Sequence, residues 1–131
     1  YKRQGQERKA LGGEDGYSLW PVLNGKSKTA RKSLISHSIG GSFAIREGFW
    51  KLCLCRGSGG WSAPRENVAK KEGLPEMQLF NLEVDPGETK NLLKDEPKKV
   101  KELLALLDKQ VKEGRCTPGE AAKNDREVKV K

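Results

Sequence analysis

Between Ser33 and Ser62 the chain alternates between apolar and polar residues. Phe43 and Ile45 alternate with Ser42, Ala44 and Arg46, and Trp50, Leu52 and Leu54 alternate with Lys51, Cys53 and Cys55. A period of two buries one face of a β-strand, so the stretch reads as strands. A first strand is expected from Leu34 to Ile39, with Leu34, Ser36 and Ser38 on one face and Ile35, His37 and Ile39 on the other. Gly40-Gly41 can take the positive φ angles of a two-residue hairpin turn, and Glu47-Gly48 offers a second reversal, which makes an antiparallel meander. A fourth strand is expected over Met77 to Leu82, with Met77, Leu79 and Asn81 on one face and Gln78, Phe80 and Leu82 on the other.

The pattern changes to a helical one after Pro97. Val100, Leu103, Leu104, Leu107 and Val111 recur at spacings that put them on one side of a helix from about Pro97 to Glu113. Asp95 is the expected cap, Pro97 suits the first turn, and Gly114 ends the helix. Such a stripe packs on one face of the sheet. Nearer the start, Leu19, Trp20, Val22 and Leu23 fit a short turn capped by Asp15 or Ser18 and stopped by Asn24-Gly25. Residues 26–32 form a basic loop, and 64–76 read as a charged loop. Asp85-Pro86-Gly87-Glu88 is a turn to which Thr89 and Asn91 can bond back before Leu92 and Leu93 return to the core. Val128 and Val130 alternate in the tail, as an edge strand or an arm would. The expected class is α+β, a four-stranded antiparallel sheet packed against one long C-terminal amphipathic helix. Residues 1–13 are expected to be a poorly ordered linker or ragged start, 14–119 the domain, and 120–131 a tail.

Composition narrows the class. A chain of 131 residues suits one domain, and 34% hydrophobic residues with a mean hydropathy of −0.77 imply a thin core. No apolar run is long enough to span a bilayer, and the first residues, YKRQGQERK, lack the apolar stretch of a secretion signal. The net charge of +8 tests for a polyanion partner, but basic residues are spread along the chain with acids interleaved, the pattern of a solvated surface. Cys53, Cys55 and Cys116 are odd in number, and with a single histidine they are too few and wrongly spaced for structural zinc. Cys53 and Cys55, two apart on one strand, are expected to be reduced.

Two features carry candidate chemistry. His37, the sole histidine, is either a hydrogen-bonded structural residue or a proton donor or anion contact reaching a neighbouring site. Arg56-Gly57-Ser58-Gly59-Gly60-Trp61 has the glycines of a phosphate loop but lacks its Lys-Ser/Thr ending and runs into Pro64. Trp61 either folds over the sheet or lines the rim of a cleft made with another domain. No serine-histidine-acid set, carboxylate pair or metal cluster is apparent, so these residues by themselves name no reaction.

Five words in order carry a resemblance: DGYSLWPVLNGK (Asp15 to Lys26), SHSIGGSFAIREGFWKL (Ser36 to Leu52), GSGGWS (Gly57 to Ser62), QLFNLEVDPGETKNL (Gln78 to Leu92) and GRCTPG (Gly114 to Gly119). Over roughly residues 14–128 the chain resembles the C-terminal part of bacterial sulfatases of the arylsulfatase A type. The resemblance implies a two-part enzyme. Its large N-terminal domain, related to alkaline phosphatase, carries a formylglycine made from Cys or Ser in a C/S-x-P-x-R motif, and acidic residues that hold calcium. There a hydrated aldehyde attacks sulfur, the ion and basic side chains stabilise the sulfate oxygens, and an alcohol or phenol leaves. The smaller C-terminal part is a four-stranded sheet with a long helix, docked on the catalytic domain and contributing loops to the substrate cleft.

None of Cys53, Cys55 and Cys116 begins a Cys-x-Pro-x-Arg, and Asp15, Asp85 and Asp95 sit in caps and turns rather than a ligand set. The resemblance therefore places formylglycine and calcium in the N-terminal domain, with no cofactor in this chain. The chain is expected to be inactive alone. Its implied partners are that catalytic domain and, in the intact enzyme, a sulfate ester. No membrane is expected, nucleic acid is not favoured, and a periplasmic or secreted location is implied for the intact enzyme. Many relatives have His-His-Ser where this chain has Ser36-His37-Ser38, and often Ser where it has Cys116. His37, with Ser38, Arg46 and Trp61, are the residues expected to approach substrate. The alternative is an independent basic module that binds a polyanion, nucleic acid or sulfated glycan, on its sheet face and Lys/Arg-rich loops.

Overall fold

The computed structural model describes residues 16–130. Its elements are α1 (Trp20–Leu23), β1 (Ser33–His37), β2 (Phe43–Glu47), β3 (Trp50–Cys53), α2 (Glu66–Lys71), β4 (Gln78–Asn81) and α3 (Pro97–Lys112). The strands make one antiparallel sheet in the order β1-β2-β3-β4, the meander expected from the alternation. Its register aligns Ile35, Ile45, Leu52 and Leu79 in one row across all four strands. Val100, Leu103 and Leu107 of α3 cover that row. Ile45, Leu52, Leu79, Leu103 and Leu107 are fully shielded from solvent, each contributing roughly 1.5–3 kcal/mol of transfer free energy. Gln110 Nε2 donates to the buried Ser33 Oγ at 2.8 Å, tying the C-terminal half of α3 to the start of β1.

The turns differ from expectation in detail. β1 ends at His37, because Ser38 N–H donates to Ser42 O and Gly41 N–H to Ser38 O, closing a three-residue loop in which Gly41 takes φ 81°. At the second reversal Glu47 pairs with Trp50, so the two turn residues are Gly48, at φ 58°, and Phe49. Asp95 does not cap α3. The N-cap is Glu96 without a side-chain bond, and Pro97, which has no N–H to satisfy, starts the helix. Gly114, at φ 63°, follows the helix as expected. α1 has Leu19 at its N-cap, with Ser18 Oγ accepting from Trp20 N–H at 3.4 Å; Asp15 and residues 1–13 lie outside the described residues.

Three segments gained or lost structure relative to the sequence reading. Within 64–76 the six-residue helix α2 forms although it offers only Val68 and Ala69 as apolar residues. A helix this short is stabilised by tertiary contact, here the full burial of Ala69 and the Glu66 carboxylate bonded to the backbone of 56–57. Asn91 does not bond back to its turn. Its Oδ1 accepts from Leu79 N–H at 3.0 Å, satisfying the outer edge of β4, while Leu92 N–H donates to Leu79 O. Thr89 does bond back, to Asp85. In the tail no strand forms over 120–130. Asn124 Nδ2 donates to Val111 O and Ala122 N–H to Glu113 O, so the tail satisfies end carbonyls of α3, and Val130 packs against the core.

All three cysteines are free thiols. Burial raises the Cys53 pKa to about 11, and burial also raises that of Cys55, whose Sγ donates to Gly57 O. A pKa of about 11 leaves about one Cys53 thiol in a thousand ionised at pH 8. Alkylation by iodoacetamide at that pH, followed by mass spectrometry of the peptides, is expected to label Cys53 far more slowly than the denatured chain does; equal rates would show that this strand is not packed as described. Leu103→Ala is expected to cost about 2–5 kcal/mol in urea unfolding, and the exposed Lys101→Ala less than about 0.5 kcal/mol.

Candidate functional site

His37 and Ser38 lie at the end of β1, where the β1–β2 loop meets the glycine-rich segment. His37 is exposed; its ring centroid is 6.0 Å from that of Phe43, its cross-strand partner, and its Nδ1 lies 3.2 Å from Ser38 O. Ser38 Oγ accepts from Ser42 N–H at 3.2 Å, which holds it in the loop. The backbone of Gly59 passes so close that a Cβ there would sit 3.5 Å from Ser38 Cβ and 3.3 Å from Cys55 Sγ. Trp61 follows two residues later and is 73% exposed, with the Arg65 guanidinium 5.9 Å from its ring centroid. It does not fold over the sheet. Ile39, beside Ser38, is 78% exposed. This end of the sheet thus displays an imidazole, a hydroxyl, an indole and an aliphatic side chain to solvent.

The glycine-rich loop is not an anion cradle. Arg56 N–H and Gly57 N–H, which would face a bound phosphate, both donate to Glu66 Oε2 at 3.0 and 3.1 Å. A carboxylate of the chain's own α2 already takes that position. Ser58 N–H donates to Pro64 O, and a Cβ at Gly57 would collide with that same carbonyl, which explains the glycine without a ligand. Arg56 extends away to Leu74 O and to an ion pair with Glu76. The loop is therefore a rigid support for Trp61.

Arg46 is placed elsewhere. It pairs with Leu34 and Lys51, three strand residues from Phe43 and on the opposite face of the sheet, roughly 10 Å along the strand. The structure brings His37, Ser38 and the Trp61 loop together and leaves Arg46 apart. Arg46 Nε donates to Gly48 O at 2.9 Å, laying the side chain along the hairpin. On that face Lys51 would repel its neighbour, and its ammonium is held instead by Glu88 at 2.6 Å. Glu88 is the one non-glycine residue with positive φ among those described. Asp85, which accepts from the amides of Lys90 and Thr89 at 2.8 Å each, shapes the turn that presents it. Those amides, Lys90 first, hold the Asp85 carboxyl below its ordinary range.

The fold joins two parts that are apart in sequence: the basic loop 26–32 and the β2–β3 hairpin. Gly48 N–H donates to Lys32 O at 3.3 Å, and between them lies a groove of about 760 Å³ lined by Lys28, Arg31, Lys32, Arg46, Leu34 and Phe49, among others. The density of Lys and Arg over 26–32 was the available signal; the opposing hairpin was not visible in the local pattern.

The residues present do not form the calcium and formylglycine centre that the resemblance implies for the whole enzyme. Among the described residues no group of three His, Cys, Asp or Glu side chains could hold a metal ion. Ser62-Ala63-Pro64 and Cys116-Thr117-Pro118 begin like the nucleophile motif, but Glu66 and Glu120 stand where it has arginine, a reversal of charge. Among the described residues no helix is long and apolar enough to cross a membrane.

No protein-family model matches the chain, and no curated protein matches it. Among solved structures the chain is similar to a Bacteroides thetaiotaomicron sulfatase, described with the metabolism of multiple glycosaminoglycans by a versatile core genetic locus. The similarity has a TM-score of 0.61 at 26% identity and covers 82% of this chain. It covers 22% of the sulfatase chain, so this fold corresponds to a minor part of a larger protein.

Proposed function

We propose that residues 14–119 are the C-terminal subdomain of a sulfatase, which packs on a catalytic domain and shapes its substrate cleft. The observation that carries this reading is the similarity over 82% of the chain to only 22% of a sulfatase. Two physical features support it. A chain with a thin core displays Leu19, Leu23, Ile39, Trp61 and Val84 each at 60% or more exposure, surface that a neighbour would cover at a gain in stability. The His37 end of the sheet offers donors on supports that need no ligand to hold their shape, as a wall of a cleft requires.

In this role the chain's own residues bind and orient. The exposed His37 and the hydroxyl of Ser38 can donate to the leaving-group side of a sulfate ester, and Trp61 gives an apolar plane for its ring. The sequence carries no C/S-x-P-x-R motif, and this reading assigns the nucleophile to the partner domain. A glycosaminoglycan-like sulfate ester is the substrate class the similarity supports.

The test begins with the coding sequence upstream, where a reading frame with C/S-x-P-x-R is expected. That upstream part and this chain, expressed separately, are expected to associate and to release sulfate from a sulfated glycosaminoglycan oligosaccharide only when mixed. His37→Ala in the mixture is expected to lower kcat/KM about tenfold or more, by removing one hydrogen bond to the substrate. Turnover by this chain alone, or activity of the upstream part that its addition does not change, would overturn the proposal.

A further inference from the structure

The groove between loop 26–32 and the β2–β3 hairpin has no part in the role proposed for the His37 end, and it lies at the opposite end of β1. Its charge is lopsided: Lys28, Arg31, Lys32 and Arg46 face it against a single carboxylate, Glu47. Among the described residues Lys28, Lys32 and Arg46 make no ion pair that would neutralise them, and Arg31 rests its guanidinium 4.9 Å from the centroid of the Tyr17 ring. Hydrogen bonds hold the loop backbone and the Arg46 side chain at this groove. Ser27 Oγ donates to Thr29 O, Thr29 Oγ1 to Arg31 O, Gly48 N–H to Lys32 O, and Arg46 Nε to Gly48 O. The backbone that carries the loop cations and the Arg46 guanidinium are thus held in place, which lowers part of the ordering cost of binding an anion.

Apolar surface sits among them. Phe49 is 52% and Leu34 40% exposed in the same groove. A ligand that satisfies both features carries several anions on a scaffold with flat carbon–hydrogen faces. The volume of about 760 Å³ falls within the usual range for sites that take a small organic ligand. We infer that this groove binds a sulfated oligosaccharide, its sulfates paired with Lys28, Lys32 and Arg46 and one ring laid on Phe49. The ligand class rests on the sulfatase reading above; the anionic, multiply charged character rests on the groove alone. A single-stranded nucleic acid fits less well, because its bases need successive aromatic platforms and the groove offers one.

The full chain, titrated with a heparin-derived sulfated hexasaccharide, is expected to bind it and to show amide NMR shifts confined to residues 28–34 and 46–49. Its desulfated counterpart is expected not to bind. Lys32→Glu with Arg46→Glu is expected to weaken binding about tenfold or more, whereas Lys90→Glu with Lys101→Glu, the same change in net charge elsewhere, leaves it nearly unchanged. Phe49→Ala is expected to weaken binding without altering its dependence on salt, since the ring contributes no charge. Shifts outside the groove, unchanged binding by the Lys32/Arg46 variant, or equally tight binding of a charge-matched polyglutamate or oligodeoxynucleotide would overturn the inference. Because this readout needs only the chain itself, its failure is separable from failure to assemble with a catalytic domain.

Discussion

The structure depends on one row of side chains. Ile35, Ile45, Leu52 and Leu79 stand side by side across the four strands, and α3 lies over them with Val100, Leu103 and Leu107. With so few fully buried residues among those described, no second core among them holds the sheet if this one fails. The row also fixes the register. A one-residue slip in any strand would turn an isoleucine or leucine out to water and bring in Ser36, Ala44, Lys51 or Phe80. Everything displayed at the two ends of the sheet is positioned by that constraint.

Because the row is fixed, the ends of the strands can differ in chemistry. At one end, the three-residue loop closed by Ser38 and Ser42 meets Gly59, and the loop behind it is braced by Glu66. That bracing uses the amides of Arg56 and Gly57, and Ser58 N–H is taken by Pro64 O, so these three amides at the start of the loop hold the chain's own atoms and not an anion. At the other end, the tight turn at Gly48-Phe49 hydrogen-bonds to Lys32 and gathers cations from two separate segments. The sheet thereby separates a hydrogen-bonding end with an exposed indole from one that gathers several cations.

The exposed apolar side chains are what the proposed docking on a neighbouring domain would cover. A core of this size leaves Leu19, Leu23, Ile39, Trp61 and Val84 on the surface, and each would be better placed against another domain than in water. The similarity to a minor portion of a sulfatase gives that neighbour a chemical identity to test.

By itself the sequence determined the strands, their faces and the long helix, because alternation around Ile45 and Leu52 and the spacing of Val100, Leu103 and Leu107 are local patterns with local physical causes. It also placed Gly48 and Gly114 at backbone positions that need positive φ. Only the tertiary structure decided what contacts distant in sequence decide. α2 forms because Ala69 is buried and Glu66 finds the amides of Arg56 and Gly57; Asn91 serves β4 and not its own turn because an edge amide needed an acceptor. Arg46 is parted from His37 by the parity of the strand, a fact present in the sequence, but its gathering with Lys28 and Lys32 required the hairpin to fold back against a loop more than a dozen residues earlier. Local patterning carries the elements, whereas charge clusters assembled across them exist only once the chain has closed.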